Sequence, residues 1–329
     1  MTGIDLVIPC YNYGHFLGDC IDSVLAQGVG EMRILIIDNA STDNSVEIAR
    51  RYAAKDPRIE VRARERNLGP QASFNEGVDW AASDYFVMLH ADDLLAPGAL
   101  KSAVAVMEQH PNVSFAFGKD FLFLQEQRAG LHLDQANGSP AAWKILTGRQ
   151  FVRRIQLQQL ATVAPVVRTS AQKRAGHFHP DLPFTDDVEM LMRLACFGDI
   201  AQTASSLALQ RLHGTNISRS LWEDPIARLV QEDATIETFY GNEGQCFGRK
   251  LHRRARRDVG KRAYWAAVSQ LLQGRIDKAK KLLKFAYARC PSALIVPPVD
   301  YLLHGDKPFG RMTKGLWTFW ETRTRNVGT

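Results

Sequence analysis

Asp84-Tyr-Phe-Val-Met-Leu-His90-Ala-Asp92-Asp93 is the stretch on which the reading of this chain turns. A run of apolar and aromatic residues, long enough for one buried strand, ends abruptly in His-Ala-Asp-Asp and delivers two carboxylates to a carboxyl edge. In an open parallel sheet that edge is where ligands sit. Carboxylates there suit a hard divalent cation, which in turn can hold a diphosphate. The plainer reading makes Asp92 or Asp93 the cap of a helix starting near Pro97.

Around this stretch, apolar runs alternate with helical spacings. Ile4–Ile8 reads as a buried strand, after which Phe16/Leu17, Cys20/Ile21 and Val24/Leu25 recur at helical spacing. Ile34–Ile37 reads as a second strand, followed by Ser41-Thr-Asp-Asn-Ser45, which suits a helix cap, and a helix to about Ala54. Ile59–Val61 makes a third strand, and Asn67-Leu-Gly-Pro70 leads into a helix through Ala81. The central strand follows, and Pro97–Gln109 is a helix ahead of a fifth strand, Val113–Phe117. Five short strands with intervening helices predict an α/β fold: a right-handed, doubly wound, mostly parallel sheet with helices on both faces.

Beyond Gly118 the pattern loosens. Residues 119–160 mix aromatic, polar and Gly-rich pieces, expected to wrap the open face of the sheet, and Val163–Val167 reads as a strand. Asp187–Cys196 reads as a short helix with Asp186 at its mouth and Glu189 at capping-box spacing. After about Pro225 the chain reads as a helical extension, in which Tyr264–Leu272 and Ile276–Ala286 form an antiparallel pair across Gln-Gly-Arg275.

With 329 residues, 45% hydrophobic and 23% charged, the chain is long enough for one large globular domain and an appendage. Its five cysteines (Cys10, Cys20, Cys196, Cys246, Cys290) lie far apart without a CxxC or Cys/His cluster. That argues against a disulfide framework or structural zinc and fits a reducing cytoplasm. No basic leader precedes Ile4 and no apolar run approaches the ~20 residues that span a bilayer, so neither standard export nor a membrane span is expected. The net charge of +6 conceals an asymmetry: residues 245–329 hold 19 Lys and Arg against 5 Asp and Glu, leaving 22 against 30 for residues 1–244. Either the two parts face different partners, or the basic part is a solvated helical face.

Six short signals stand in one order: Leu6-Val-Ile-Pro-Cys-Tyr-Asn12, Ile36-Ile-Asp38-Asn39-Ala-Ser-Thr-Asp43, Asn67-Leu-Gly69 with Asn75 and Gly77, His-Ala-Asp-Asp, Thr185-Asp-Asp-Val-Glu-Met-Leu-Met-Arg193, and Gln210-Arg-Leu-His213-Gly-Thr-Asn216-Ile-Ser218. The set resembles family 2 glycosyltransferases of the GT-A fold, inverting enzymes that use nucleotide-activated sugars. The resemblance runs from residue 4 to about 218. It implies a catalytic domain over 1–222, with a nucleotide-sugar-binding half at 1–118 and an acceptor-binding half at 119–222, and a basic C-terminal helical region at 223–329.

The residues carry physical reasons of their own. Pro9, Tyr11 and Asn12 stand where strand one breaks; an aromatic there packs on a nucleobase while Pro fixes the exit, unless the segment is only a turn. Asp38 and Asn39 follow strand two, where the family reads the base, usually with a second acid at the position of Asn39; an Asn carbonyl still accepts from a pyrimidine N–H. Asn67 joins them on the donor side. Asp92 matches the last acid of the family's Asp-x-Asp motif and is the expected principal metal ligand. His90 replaces the first acid, and imidazole suits Mn²⁺ better than Mg²⁺. His90 is expected on the ribose or diphosphate, or in a structural hydrogen bond, and Asp93 beside the metal or sugar. Asp187, second of the acidic pair, inherits the role of base for the acceptor hydroxyl. The alternative is that both acids only complement the helix dipole while Glu189 and Arg193 pair on its surface. His213 would complete the metal shell and Arg211 would stabilise the leaving diphosphate. Trp143 and Trp222 either stack an acceptor sugar or simply pack.

Arg249-Lys-Leu-His-Arg-Arg-Ala-Arg-Arg257 and Gly310-Arg-Met-Thr-Lys-Gly-Leu-Trp-Thr-Phe-Trp320 combine cations with aromatics. Peripheral membrane contact uses that mixture, a dimer-forming helix explains it equally, and a nucleic-acid patch has no recognised fold behind it. The resulting expectation is an inverting, Mn²⁺- or Mg²⁺-assisted glycosyltransferase with a UDP- or dTDP-linked donor across the carboxyl ends of strands one, two and five. Its acceptor would be a glycan or lipid-linked glycan, at the cytoplasmic face of the cell membrane. A nucleotidyltransferase lacks its usual Gly-rich basic loop in Pro9–His15, and a dehydrogenase its GxGxxG. A catalytically dead nucleotide-sugar-binding scaffold is the rival outside enzymology.

Overall fold

A computed structural model describes residues 2–119, 121–124, 142–155, 164–214, 216 and 224–303. The chain divides into two compact units, Met1–Ile155 with Gln159–Asn216, and Gln156–Gln158 with Ile217–Thr329.

The first unit opens with β1 (Ile4–Cys10), α1 (Gly14–Leu25), β2 (Met32–Asp38), α2 (Ser45–Ala53), β3 (Ile59–Ala63), α3 (Pro70–Trp80) and β4 (Tyr85–Met88). β5 (Leu94–Leu95), α4 (Ala99–Gln109), β6 (Val113–Phe117), β7 (Phe121–Leu124), β8 (Trp143–Leu146) and α5 (Gly148–Ile155) follow. β9 (Val166–Arg168), α6 (Thr169–Ala175), α7 (Asp186–Leu194), β10 (Asp199–Thr203) and β11 (Ala208–Leu212) complete it. Eight strands form one sheet in the order β3-β2-β1-β4-β9-β6-β10-β8. Six run parallel, while β9 and β8 run against their neighbours. β1 and β2 are buried almost throughout, as strands with helices on both faces must be, and their sequences IDLVIPC and MRILIID are accordingly near-continuous apolar runs.

The mostly parallel α/β sheet expected from the sequence is present, with one difference that moves the site. The strand expected over 163–167 is β9, which inserts antiparallel between β4 and β6. The fifth expected strand therefore does not flank the central one, and the carboxyl ends that lie side by side are those of β1, β2 and β4. Three residues of β9 are too few to reveal direction by periodicity.

One buried charge locks this arrangement. Asp5 accepts from Arg33 Nε and Nη2 at 2.7 and 2.6 Å, from Ala82 N and Ser83 N at 2.6 and 2.8 Å, and from Ser83 Oγ at 2.7 Å. Burial alone would raise its pKa, but Arg33 and these donors hold it below the usual carboxylate value. β1, β2 and the entry to β4 are thereby tied at one point. Where α3 crosses β1, a Cβ on Gly77 would stand 2.8 Å from Val7 Cγ1, so the crossing demands glycine.

A smaller sheet has the order β5-β11-β7. Trp143, in β8, is half-buried against the core and therefore packs, while Trp222 and residues 310–320 lie outside the described residues.

The second unit contains α8 (Pro225–Gly241), α9 (Arg249–Leu272), α10 (Ile276–Arg289) and α11 (Asp300–Leu303). Ala255, Val259, Ala263 and Ala267 line one face of α9, and Ala279, Leu282 and Ala286 one face of α10. Small side chains let the two axes approach; a Cβ on Gly260 would stand 3.0 Å from Ala286 O. The expected helix pair is present, but α9 begins at Arg249, so the basic run 249–257 is its opening turns. Among the described residues no helix is long and apolar enough to cross a membrane, and the five cysteines are free thiols.

Candidate active site

At the end of β1, Asn12 takes a left-handed φ of 57°, which ends the extended path. Asn12 N donates to Ser41 Oγ at 2.8 Å, Thr42 N donates to Asn12 Oδ1 at 2.8 Å, and Gly14 N donates to Asp43 Oδ2 at 2.9 Å. Ser41–Ser45 is thus more than the expected helix cap. It clasps the β1 exit, and Asn44, in the N-cap position, makes no side-chain cap bond. Pro9 is half-buried, and Tyr11 presents its ring to solvent.

Asp38 is buried, with Oδ2 accepting from Ser41 N at 2.9 Å and Oδ1 without a partner among the described residues. A buried acceptor without a donor is costly, which marks Oδ1 as a place for a ligand N–H. Asn39 is buried too, but its amide is committed: Oδ1 accepts from Leu68 N and Arg64 Nη1 at 3.0 and 3.2 Å, and Nδ2 donates to Asn67 Oδ1 at 2.7 Å. Asn67 Oδ1 also accepts from Gly69 N at 2.8 Å. Asn39 and Asn67 together hold the loop into α3.

The smaller sheet assembles the next cluster. β11 pairs antiparallel with β5, Ala208 opposite Leu95 and Leu209 opposite Leu94. Before β5 the chain turns, Asp93 N donating to His90 O at 3.0 Å, and His213 follows directly on β11. His213 Nε2 lies 3.0 Å from Asp92 Oδ2, Asn216 Nδ2 lies 3.4 Å from the same oxygen, and His213 N donates to Asn216 Oδ1 at 2.7 Å. Arg211 departs from expectation. Its side chain is fully buried, with Nε on Asp92 O at 2.9 Å, Nη2 on Asp19 Oδ2 at 3.1 Å, and its guanidinium 4.5 Å over the Phe16 ring and 5.1 Å from that of Phe123. A guanidinium so enclosed does not reach a diphosphate; it fixes the backbone of Asp92. The backbone N–H of Arg211 also donates to Asp93 Oδ1 at 2.9 Å, turning that buried carboxylate inward.

His90 is exposed, and its ring stacks on Phe74 of α3 with centroids 5.6 Å apart and planes 16° from parallel. Ligand atoms of His90, Asp92 and Asp93 all lie within 4.8 Å of one another. Enclosure by the protein raises the pKa of Asp187 although the residue reaches solvent; the bond that Val188 N donates to its Oδ1 at 2.7 Å, and then His90, draw it back down. Asp186 is buried. Loss of water, and then the charge of Asp187, push its pKa up to about 7, while Gln71 Nε2 donates to its Oδ2 at 3.1 Å. Glu189 does not form the expected capping box. It is buried and receives Arg193 Nε at 2.9 and 2.8 Å, and the guanidinium of Arg193 goes on to Ala175 O and, at 2.7 Å, His177 O. This pair is internal, not superficial, and anchors α7 behind the acids.

Gln71 and Phe74 were missed in the sequence. Their spacing of three on a helix following Asn67-Leu-Gly-Pro was the available signal.

The donor set suits a divalent cation. In an octahedral shell with bonds of about 2.1 Å, adjacent ligand atoms stand about 3.0 Å apart. Asp92 Oδ2 and His213 Nε2 already have that separation, and an N/O pair favours Mn²⁺ over Mg²⁺ more than two carboxylates would. Of the two groupings, Asp92 with His213 is the better one, because Asp93 is turned into the protein and His90 lies against Phe74. A cavity of about 390 Å³ lined by Val113, Arg168 and Asp199 opens at the amino ends of β6 and β10, away from this chemistry.

The profile of the family described as Glycosyl transferase family 2 matches residues 5–159. That match covers a little under half of the chain, and over it the chain is similar to that family. Over 222 residues this chain is 23% identical to a protein named an uncharacterized glycosyltransferase of Haemophilus influenzae, covering 65% of this chain and 67% of that one. It is 36% identical over 116 residues to protein y4gI of Sinorhizobium fredii and 30% over 99 residues to the glycosyltransferase GlyG of Streptococcus pneumoniae. Those matches cover 35% and 30% of this chain, but only 13% and 33% of the relatives' lengths. The GT-A fold is shared with S. aureus TarS 1–349 in complex with UDP-GlcNAc, at a TM-score of 0.58 and 16% identity over 86% of this chain and 91% of that one. It is shared also with the mannosyltransferase PcManGT of Pyrobaculum calidifontis in complex with GDP-Man and Mn²⁺, at 0.54 and 13% over 89% and 87%.

Proposed function

We propose that this chain transfers a sugar from a nucleoside-diphosphate sugar to a hydroxyl of a glycan or lipid-linked glycan, with inversion, in a single displacement. The observation that carries the reading is the position of His90. It shares one 4.8 Å cluster with Asp92 and stacks on Phe74 of α3, while Gln71 of the same helix donates to Asp186 beside Asp187, so α3 lies against both the candidate cation ligand and the acidic pair.

Tyr11 packs on the base, and the unpartnered Asp38 Oδ1 accepts the N3–H of a uracil or thymine, which favours UDP- or dTDP-linked donors. Asn39 and Asn67 shape that pocket without reading it. Asp92 and His213 would hold Mn²⁺ or Mg²⁺, and such a cation, when bound, neutralises charge on the departing diphosphate. His90 contacts the ribose or diphosphate. Asp187 accepts the proton of the acceptor hydroxyl as its oxygen bonds to the anomeric carbon. The bond to the diphosphate breaks on the opposite face, and its electron pair leaves with the nucleotide. The basic second unit suits work at the cytoplasmic face of an anionic membrane.

Thermal shift of the whole chain against a panel of nucleotide sugars, with and without Mn²⁺, tests this. A ligand at a hundred times its Kd stabilises by about 2.7 kcal/mol. A cation-dependent response to a uridine or thymidine diphosphate sugar is expected, and none to any nucleotide diphosphate rejects the reading. Asp187→Asn should keep that response and lose turnover; loss of the response itself would favour a binding scaffold.

A further inference from the structure

The second unit carries a surface that its own packing leaves unused. After α10 the chain runs through Leu294-Ile-Val-Pro-Pro-Val299, and Leu294, Ile295, Val296 and Val299 are 63, 87, 62 and 53% exposed. Single exposed aliphatics are ordinary, but four on one short knuckle are not. The knuckle is built, not frayed. Ile295 N and Val296 N donate to Ser292 O at 3.1 and 3.0 Å, Val299 N donates to Pro297 O at 2.8 Å, and Trp265 Nε1 of α9 holds Pro298 O at 3.0 Å. Pro297 and Pro298 fix their φ angles, and Asp300 pairs with Lys261 just beyond.

Cations border it. The α9 stripe holding Lys261 and Trp265 continues at intervals of four through Arg257 and Arg253, both exposed. On α10, Lys281, Lys284 and Ala288 are exposed at spacings of three and four and lead toward the knuckle. No Asp or Glu occurs from Lys278 to Val299.

We infer that this knuckle and its cationic border dock on an anionic lipid bilayer, the aliphatic side chains entering the headgroup boundary and the cations meeting lipid phosphates. The inference deepens the membrane-face part of the proposed function and does not depend on the transfer chemistry. A second copy of the chain fits less well, because like-charged borders would repel and a stable interface needs about 800 Å² per partner, far more than four side chains offer. Nucleic acid fits less well because the knuckle has no aromatic ring on which a base could stack.

The test is cosedimentation of the full chain with phosphatidylcholine vesicles, with and without phosphatidylglycerol. Binding to the anionic vesicles is expected. Ile295→Ser with Val296→Ser should weaken it about tenfold or more at every salt concentration, and Arg253→Gln with Arg257→Gln should weaken it at low salt only. No binding by the parent, or equal binding by parent and the aliphatic variant, overturns the inference. So does an aliphatic variant that binds vesicles normally but loses a dimer on size-exclusion chromatography. Both variants should keep the thermal response to nucleotide sugars, so failure here leaves the donor reading standing, and failure of that reading leaves this one.

Discussion

Replacing Asp186 with Asn should make the protein more stable at pH 8 and remove a pH dependence that the parent shows. Asp186 is buried between Gln71 and Asp187, and its pKa rises from 3.8 to about 7. Between those values the folded protein keeps a proton that the unfolded chain has released, so stability falls as pH rises from about 4 to about 7 and is level above. The difference, about 7 − 3.8 ≈ 3 units at 1.36 kcal/mol each, is on the order of 4 kcal/mol. Asn offers one carbonyl oxygen where Asp offered two, so either the bond from Gln71 or that from Asp187 N is lost, at about 1 kcal/mol. The net gain at pH 8 is then about 3 kcal/mol, and at pH 4 the variant should be slightly weaker than the parent. Urea unfolding followed by tryptophan fluorescence at pH 4, 6 and 8 measures this, and titrating groups other than the neighbouring Asp187 cancel in the difference between variant and parent. A difference that stays constant across the three pH values would refute the burial of a protonated carboxyl at this position.

Three further outcomes follow from the same geometry. His213→Ala should raise the Mn²⁺ concentration needed for nucleotide-sugar stabilisation at least about tenfold, read by calorimetry, because one of two converging donors is gone. Arg211→Met, close in volume, should cost on the order of 2 kcal/mol in urea unfolding, since Asp92 O loses a charged donor inside the protein, while the partly exposed Asp19 loses an ion pair that water screens. Asp5→Asn should destabilise at pH 7 by removing a carboxylate whose pKa lies below its unfolded value. That penalty should shrink as pH falls through the acid range, where the parent's Asp5 is protonated as well.

How far the sequence reached depended on the range of the contacts involved. β1, β2 and β4 were legible because strands buried on both faces are unbroken apolar runs, and their carboxyl ends followed from the βα alternation. β9 and the three-stranded sheet were not, since β9 has three residues, β5 has two, and paired residues lie 50 to 115 positions apart. Motif order alone put His213 near Asp92, and the pairing of β5 with β11 explains the proximity. For Arg211 the motif misled, because residue type does not tell whether a guanidinium points to the ligand or lies between Phe16 and Phe123. Glu189 misled for the same reason: at capping-box spacing it serves Arg193 instead, and only burial distinguishes the two uses.

The exchange of an acid for His90 bears on both halves of the site at once. An Asp at 90 would add a cation ligand, but it would also bring a negative charge toward Asp187, a carboxylate already held above its usual pKa by enclosure. His90 brings no such charge and, after the bond from Val188 N, acts to lower that pKa toward the ionised form that the proposed base needs. The cation ligand forgone at 90 is offset by the imidazole of His213, carried to Asp92 by β11. Phe74 holds the ring of His90 by stacking, leaving its nitrogens directed by neither Asp92 nor Asp93 through a hydrogen bond among the described residues. If Asp92 and Asp187 play the proposed roles, a histidine at 90 favours the ionised form of the second at the expense of one ligand beside the first, which a spectator at a strand end would not do.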